Sequence, residues 1–313
     1  RYQPGQDWPI GWSATTTITS NIASNSFPAI AATKTSQGDY TGNAMVVWLS
    51  PSNISVQACL YANDTGWQAP VSLTSDESIE YIVPRVAMDN NGNAVALWQQ
   101  NTINESSIYS THFTAATDSW DLPATRISPV SQNTESPNLA MDNNGNAIAT
   151  WYRTKENPDT TIDLIIQASQ NSSDGSWYLA HDISLIGLDG FAPNIAINNT
   201  HQAAASWGFP QSNLFVSRAY EVPELISKLV TLGTASAFSV SSNGEGVFFV
   251  DIITNGIVYT FVHYPDTAET AWEQIQVSPD SLFAYEIAGA TDGHGNHGIA
   301  YTARTRTTTE ETP

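Results

Sequence analysis

The 313-residue sequence predicts an all-β fold made of repeated four-stranded antiparallel units, and three observations lead to this prediction. The segment 83–98 (VPRVAMDNNGNAVALW) recurs almost unchanged at 136–151 (SPNLAMDNNGNAIATW). Each copy places an Asn-Gly step between two apolar runs, which is a strong signal for a β-hairpin. Weaker copies follow at intervals of about fifty residues, the spacing of propeller blades. We therefore predict a six-bladed β-propeller with four-stranded antiparallel blades.

The third repeat shows how the sequence encodes one blade. Pro137 stands at the start of its first strand, where the missing amide donor leaves no gap in the sheet. The polar segment 142–146 (DNNGN) supplies the residue types that tolerate a positive φ, so it is predicted to turn between the first two strands. The four strands are predicted at 139–141, 147–151, 164–168 and 177–184.

The remaining repeats fill the chain in order and make it one predicted domain, 1–313. Five full repeats are predicted at 26–81, 82–135, 136–190, 191–235 and 236–283. Residues 284–304 supply only the two inner strands of a sixth blade. The sequence ends in a polar Thr/Glu-rich tail at 305–313, which we expect to fray.

The N-terminal segment 1–25 is predicted to provide the outer two strands of the last blade. Its Trp12 aligns with the outer-strand tryptophans Trp67, Trp120, Trp177 and Trp272. Closing the last blade with both termini would remove an open sheet edge. Because the chain begins inside a repeat, at Arg1, we expect further residues upstream.

The charge balance excludes some partners. The chain has 10 basic and 30 acidic residues, a formal net charge of -20. Nucleic acids and anionic membranes are bound through Lys and Arg, so neither is an expected partner. No stretch is apolar over the length needed to cross a bilayer, so no membrane insertion is expected. We predict a monomer located outside the cell, on its surface or in the periplasm, where a high net charge favours solubility.

The repeat pattern resembles a known family. The motif P-x-[ILV]-A-x-D-x-x-G-N-A-x-A-x-W at 84–98 and 137–151 is similar to repeats of bacterial exported six-bladed propellers related to the sialidase-like (BNR, Asp-box) group. The resemblance covers essentially the whole chain. The Asp box itself, S-x-D-x-G-x-T-W, is echoed best at 172–177 (SSDGSW). In that family the box is a structural turn, so the resemblance implies a fold and leaves the activity open.

A binding site is expected on the propeller face that carries the longer loops, which connect the second to the third strand and the fourth strand to the next blade. From aromatic and charged residues in or beside these loops we predict a non-catalytic module that recognises a glycan or a protein, with aromatic rings stacking on the ligand. The candidate ligand-binding residues are Tyr81, Arg85, Tyr152, Arg153, Phe191, Phe209, Tyr285 and Glu286.

Two alternatives remain: a sialidase-like glycan hydrolase, and a structural module of a larger surface protein. The hydrolase would need three converging Arg side chains to hold a carboxylate, a Tyr activated by a Glu, and a general acid. Of the seven Arg residues, Arg85 and Arg153 lie near the inner strands on the loop face. The sequence pairs no Tyr with a Glu, so we lean against an enzyme and predict no catalytic residues.

No metal or other cofactor is predicted. The DNNGN segments at Asp89 and Asp142 resemble calcium loops, but a calcium loop needs more carboxylates and a bidentate Glu. We interpret both segments as hairpin turns and keep calcium as the alternative. The segment 292–297 (DGHGNH) could hold a metal through two His, yet the same position in other repeats is a turn.

Overall fold

A computed structural model describes fourteen segments of the chain, which together cover most of it. These are 16–19, 27–33, 42–51, 54–76, 78–171, 175–184, 189–200, 202–208, 213–219, 230–234, 237–242, 247–264, 272–291 and 297–305. Within them all regular structure is β-strand, which confirms the all-β prediction. They contain no helix long and apolar enough to cross a membrane. Phe209 and nearly all of the predicted segments 1–25 and 305–313 lie outside the described residues.

The strands form successive antiparallel sheets in chain order. The first sheet contains β1 (Ala29–Ala32), β2 (Ala44–Leu49), β3 (Val56–Ala62), β4 (Gly66–Trp67) and β5 (Val71–Ser72). The second contains β6 (Glu80–Met88), β7 (Ala94–Asn101), β8 (Ser106–Thr114), β9 (Ser119–Trp120) and β10 (Thr125–Arg126). The third contains β11 (Thr134–Met141), β12 (Ala147–Glu156), β13 (Ile162–Asn171) and β14 (His181–Asp182).

The second half of the chain repeats this arrangement. The fourth sheet contains β15 (Phe191–Ile197), β16 (Ala203–Gly208), β17 (Asn213–Ala219) and β18 (Val230–Thr234). The fifth contains β19 (Ala237–Ser242), β20 (Phe248–Thr254), β21 (Ile257–His263) and β22 (Glu273–Gln276). The last sheet of the described residues has two strands, β23 (Leu282–Thr291) and β24 (His297–Thr305).

The hydrophobic core lies between neighbouring sheets. One cluster joins Val47 of the first sheet to Val86 and Trp98 of the second. A second cluster joins Leu97 of the second sheet to Leu139 and other residues of the third. Trp98 and Trp151, which end the repeated motif, are both fully buried. The motif therefore recurs because each copy supplies the apolar faces that hold one sheet against the next.

The hairpin turns of the repeat are held by the aspartate that opens them. Asp142 Oδ1 accepts hydrogen bonds from the backbone N–H groups of Asn144 and Asn146, both at 2.9 Å. Its Oδ2 accepts a third from Asn146 Nδ2 at 2.9 Å. Gly145 has a φ of 89°, which L-residues rarely adopt. Asp89 makes the same three bonds in the second sheet, so both segments are hairpin turns, as the sequence predicts.

Replacing Asp142 with Ala should lower the free energy of unfolding by about 1–3 kcal/mol, because three donors of a buried turn lose their acceptor. Urea denaturation monitored by circular dichroism measures the change. Asn143→Ala is the matched control, since its side chain makes none of these three bonds. Equal midpoints for the two variants would show that the carboxylate does not hold the turn.

A bulge interrupts the first strand of four sheets near one end, and in three of them it lies directly before a proline. Val83, Ser136 and Ala192 have left-handed φ values of 51°, 54° and 49°, and each stands directly before a proline. The pairing register shifts at each of these points. A bulge adds one residue to a strand and moves the following side chains to the other face of the sheet. It therefore decides which residues meet at the loop face.

Candidate functional site

The first strands of successive sheets lie beside one another, from β1 to β6, β11, β15, β19 and β23. Each strand presents one residue at the same register position, opposite a residue of the second strand. Asn138 Nδ2 donates to Asn194 Oδ1 at 2.9 Å, which joins two of these positions directly. We call this set the inner-strand ring, and its members are Ala29, Arg85, Asn138, Asn194, Ser239 and Glu286.

A tyrosine and a glutamate meet at the loop end of the third sheet. Tyr152 lies opposite Glu135 in the β11–β12 pairing, and Tyr152 Oη donates to Glu135 Oε2 at 2.7 Å. Both side chains are half-buried. Burial, reinforced by the neighbouring Glu135, raises the pKa of Tyr152 to about 12. The hydroxyl is therefore protonated at neutral pH and held against a carboxylate that can accept its proton.

This pair corrects an expectation of the sequence analysis, which paired no Tyr with a Glu. If the regular pairing of Asn138 with Thr150 continued, Glu135 would lie opposite Arg153. The bulge between Glu135 and Asn138 shifts the register by one residue and brings Tyr152 to that position instead. The left-handed φ of Ser136 was not visible in the sequence, although its place before Pro137 in the repeat was a usable signal.

Arg85 brings a positive charge to the inner-strand ring. Its guanidinium is half-buried, and burial lowers its pKa from the usual value. The hydrogen bond described for it runs from Nη1 to the Pro84 carbonyl at 3.1 Å. Among the described residues no carboxylate forms an ion pair with Arg85. A half-buried cation without a carboxylate partner is suited to hold an anionic group of a ligand.

Two other candidates already have structural partners. Arg153 donates from Nε and Nη2 to the two carboxylate oxygens of Asp182 at 2.9 and 2.7 Å. This bidentate contact lowers the pKa of Asp182 and occupies the Arg153 fork. Tyr81 is 2% exposed and packs in the first core cluster. Its hydroxyl donates to the Asp76 carbonyl at 3.0 Å, so it serves packing in this structure.

The remaining described candidates are exposed. Phe191 is 39% exposed and its ring covers Gly208, where an added Cβ would lie 2.6 Å from the ring. Tyr285 is 51% exposed. Glu286 is also exposed, and it accepts a hydrogen bond from Thr302 Oγ1 at 2.9 Å. These three residues stay predictions for ligand contact.

A buried polar cluster that the sequence did not reveal lies between the fifth and last sheets. Asp251 is fully buried, and its Oδ1 lies 2.9 Å from His297 Nε2 and accepts from Thr260 Oγ1 at 2.8 Å. Its Oδ2 accepts from Ser239 Oγ at 3.2 Å. Gly289 leaves room for the carboxylate, because an added Cβ would lie 1.9 Å from Oδ2. The cluster ties the two-stranded sheet to its neighbour.

His297 therefore has a different environment from the one considered for the segment 292–297. It belongs to the cluster around Asp251, and its ring stacks on Phe249 at 4.3 Å between centroids. Residues 292–296 lie outside the described part of the chain. Within that part, no group of three or more His, Cys, Asp or Glu side chains is arranged as a metal site.

Comparisons with known proteins identify the architecture. No protein-family model and no curated protein sequence matches the chain. Among solved structures, it is similar to an α-L-arabinofuranosidase from Fusarium graminearum (TM-score 0.53, 10% identity, covering 91% of this chain and 94% of that one). It is also similar to the leech intramolecular trans-sialidase (TM-score 0.55, 9% identity, covering 93% of this chain and 67% of that one). A third similar structure is the NanB sialidase from Streptococcus pneumoniae (TM-score 0.54, 8% identity, covering 91% of this chain and 67% of that one).

The chain is therefore an all-β propeller with antiparallel sheets, of the kind found in sialidases and arabinanases. The same comparisons correct the functional prediction. Several of the similar solved structures are glycoside hydrolases and sialidases, which favours the hydrolase alternative, so the non-catalytic recognition module is wrong as the leading interpretation. The structure supplies the Tyr–Glu pair that the sequence did not reveal. It does not supply the three converging Arg side chains among the described residues, where Arg126 and Arg153 are paired with Glu105 and Asp182.

Proposed function

We propose that the protein is a glycan hydrolase of sialidase-like build, with Tyr152 as nucleophile and Glu135 as its base. The observation that carries the proposal is the 2.7 Å hydrogen bond from Tyr152 Oη to Glu135 Oε2 at the loop end of the inner strands. The enzymes with similar folds, an arabinofuranosidase and sialidases, support the reaction class.

Each residue has a distinct role in the proposed reaction. Tyr152 Oη attacks the anomeric carbon of the sugar while Glu135 takes the phenolic proton, and the leaving oxygen takes a proton from water. Because the pKa of Tyr152 is raised to about 12, the hydroxyl needs this base at neutral pH. The hydroxide left by the proton transfer from water then attacks the anomeric carbon of the glycosyl-tyrosine and releases the sugar, and the protonated Glu135 returns its proton to Tyr152 Oη.

Arg85 indicates which substrates the proposed enzyme would prefer. Its half-buried guanidinium has no carboxylate partner among the described residues, so a carboxylate on the substrate could complete a charge-assisted pair there. A neutral tyrosine nucleophile suits a substrate that carries a carboxylate, because the negative charge of that substrate would repel a carboxylate nucleophile. We propose that the enzyme prefers glycans with acidic sugars over neutral ones.

The direct test is a screen of the purified chain against fluorogenic glycosides. The panel pairs acidic substrates, such as 4-methylumbelliferyl α-sialoside and β-glucuronide, with neutral ones, such as the α-L-arabinofuranoside. We expect release of the fluorophore from an acidic member. If the folded protein releases nothing from any member, nor reducing ends from natural acidic polysaccharides, the proposal fails.

We also propose that the propeller has six blades and that 1–25 complete the last one, beside β23 and β24. The motif alignment of Trp12 with the outer-strand tryptophans supports this, as does the presence of only two strands in the last described sheet. We further propose a monomer that acts outside the cytoplasm, in keeping with its net charge of -20. The proposed chemistry needs no metal.

Deleting residues 1–20 should then leave β24 with an unpaired edge, and exposed edges promote self-association. Size-exclusion chromatography with light scattering should show oligomers, whereas deletion of the tail 306–313 should leave a monomer. Monodisperse protein with an unchanged melting temperature after the N-terminal deletion would contradict the closure by both termini.

A further inference from the structure

A cavity lies between the first and second sheets, and neither Tyr152 nor Glu135 lines it. Its volume is about 470 Å³, within the range of small-molecule sites. Its lining includes Leu73, Ile79, Tyr81 and the segment 122–124. The cavity therefore combines apolar walls with a size suited to a small ligand.

The cavity and Arg85 lie on opposite faces of the second sheet. Trp98, which lines it, packs with Val86 in the cluster shared with the first sheet. Arg85 pairs with Leu97 across the β6–β7 ladder, and Leu97 packs in the cluster shared with the third sheet. Directly opposed residues share a face, so Arg85 and the cavity lie on opposite faces. A ligand in the cavity would not occupy the proposed active site.

Polar groups in the cavity differ from their counterparts in the third sheet. There, the fully buried Trp151 donates from Nε1 to Gln167 Oε1 at 2.9 Å, and Gln167 lies directly opposite Trp151. In the second sheet Tyr109 takes the place of that glutamine, opposite Trp98. Trp98 is also fully buried, and its Nε1 has no acceptor among the described residues. Within that part of the chain the Nε1 atoms of Trp48, Trp177 and Trp272 also lack one, and of these four indoles Trp98 is the one that lines the cavity.

Tyr109 and Gln100 add a hydroxyl and an amide to the cavity lining, and both side chains are half-buried. Apolar and aromatic walls with a few converging hydrogen-bonding groups are the usual composition of a ligand site. An amide and a phenol hydroxyl match the hydroxyl groups of a sugar, while the rings match its apolar face.

The charges of the side chains that line the cavity indicate the class of ligand it would bind. Among the described residues, no Lys or Arg lines the cavity, and Asp76 is part of its lining. Hydrogen bonds from Ser78 lower the pKa of Asp76, so its carboxylate is ionised at neutral pH and disfavours an anionic ligand. We propose that this cavity is an auxiliary site that binds neutral sugar residues of a glycan chain. The proposal rests on the cavity and holds whether or not Tyr152 is a nucleophile.

The test is calorimetric titration of the full chain with neutral hexasaccharides of arabinose, xylose, glucose and mannose. We expect one of them to bind, and the double variant Gln100→Ala/Tyr109→Phe to weaken that binding at least tenfold. Each change removes a hydrogen-bonding group and keeps most of the packing. Matching circular dichroism melts would show that the double variant is folded.

Tyr152→Phe separates this proposal from the proposed activity. It removes the proposed nucleophile and should leave hexasaccharide binding unchanged, while the double variant should leave hydrolysis of a small fluorogenic glycoside unchanged. Absence of binding by all four hexasaccharides at millimolar concentration would overturn the auxiliary site. So would binding that the double variant does not weaken.

Discussion

Tyr152→Phe is expected to lower kcat/KM for glycan hydrolysis by about a thousandfold or more while the protein stays folded. The substitution removes one oxygen, which is the proposed attacking atom, and keeps the ring that packs beside the core between the third and fourth sheets. Initial rates on the best substrate of the fluorogenic panel measure the loss. A variant that keeps more than a tenth of the wild-type rate would exclude Tyr152 as the nucleophile.

Glu135→Gln is the matched variant, because Gln can still accept the hydrogen bond from Tyr152 but cannot take its proton. We expect a loss of about 10²–10⁴-fold near pH 7, the usual contribution of a general base. Burial is the largest cause of the raised pKa of Tyr152, and it persists in this variant. The tyrosinate fraction should therefore increase with pH, and the residual rate should rise about tenfold per pH unit from 7 to 9. A flat profile would contradict the assignment of Glu135 as the base.

The sequence was sufficient to predict the architecture because the features that determine it lie close together in the chain. An Asn-Gly turn, an apolar run and a tryptophan recur in one short motif, and each part acts on neighbouring residues. Asp142 and Asp89 satisfy the turns that they open, and Trp98 and Trp151 fill the core between sheets. These features follow from residue type and spacing alone.

The candidate site depended on information that residue type does not carry. A single bulged residue, Ser136, decides whether Glu135 faces Arg153 or Tyr152, and the sequence does not specify a left-handed φ at a serine. Arg85 lies on the inner strand β6, and the ion pair of Arg153 with Asp182 depends on the position of β14. Among the described residues, strand position and not residue type therefore separates an arginine without a carboxylate partner from one that has it.

The Asp251 cluster was invisible for a further reason. Asp251 and His297 lie on β20 and β24, in different sheets, and meet only when those sheets pack. Neither residue belongs to the repeated motif, and the fifth repeat is the most divergent one in the sequence. A pairwise contact of this kind follows from tertiary packing, which the local pattern does not encode.

Asp251→Ala is expected to lower the free energy of unfolding by about 3 kcal/mol or more, because three groups would lose their hydrogen-bond partner and each unsatisfied buried group costs about 1–3 kcal/mol. The carboxylate is fully buried and takes hydrogen bonds from Thr260 and Ser239 besides its contact with His297. All three groups would lose their partner at once. Urea denaturation of the variant, beside the exposed control Asp64→Ala on a turn of the first sheet, measures the effect.

A double-mutant cycle tests whether the contact with His297 carries part of this loss. His297→Ala leaves the buried carboxylate with two hydroxyl donors, so it should also destabilise the protein, and adding it to Asp251→Ala should cost less than the two single losses together. We expect a coupling free energy of about 1–3 kcal/mol, because residues in one hydrogen-bonded network are not independent. If the two losses add, or if Asp251→Ala costs no more than the Asp64 control, the cluster does not hold the two-stranded sheet in place.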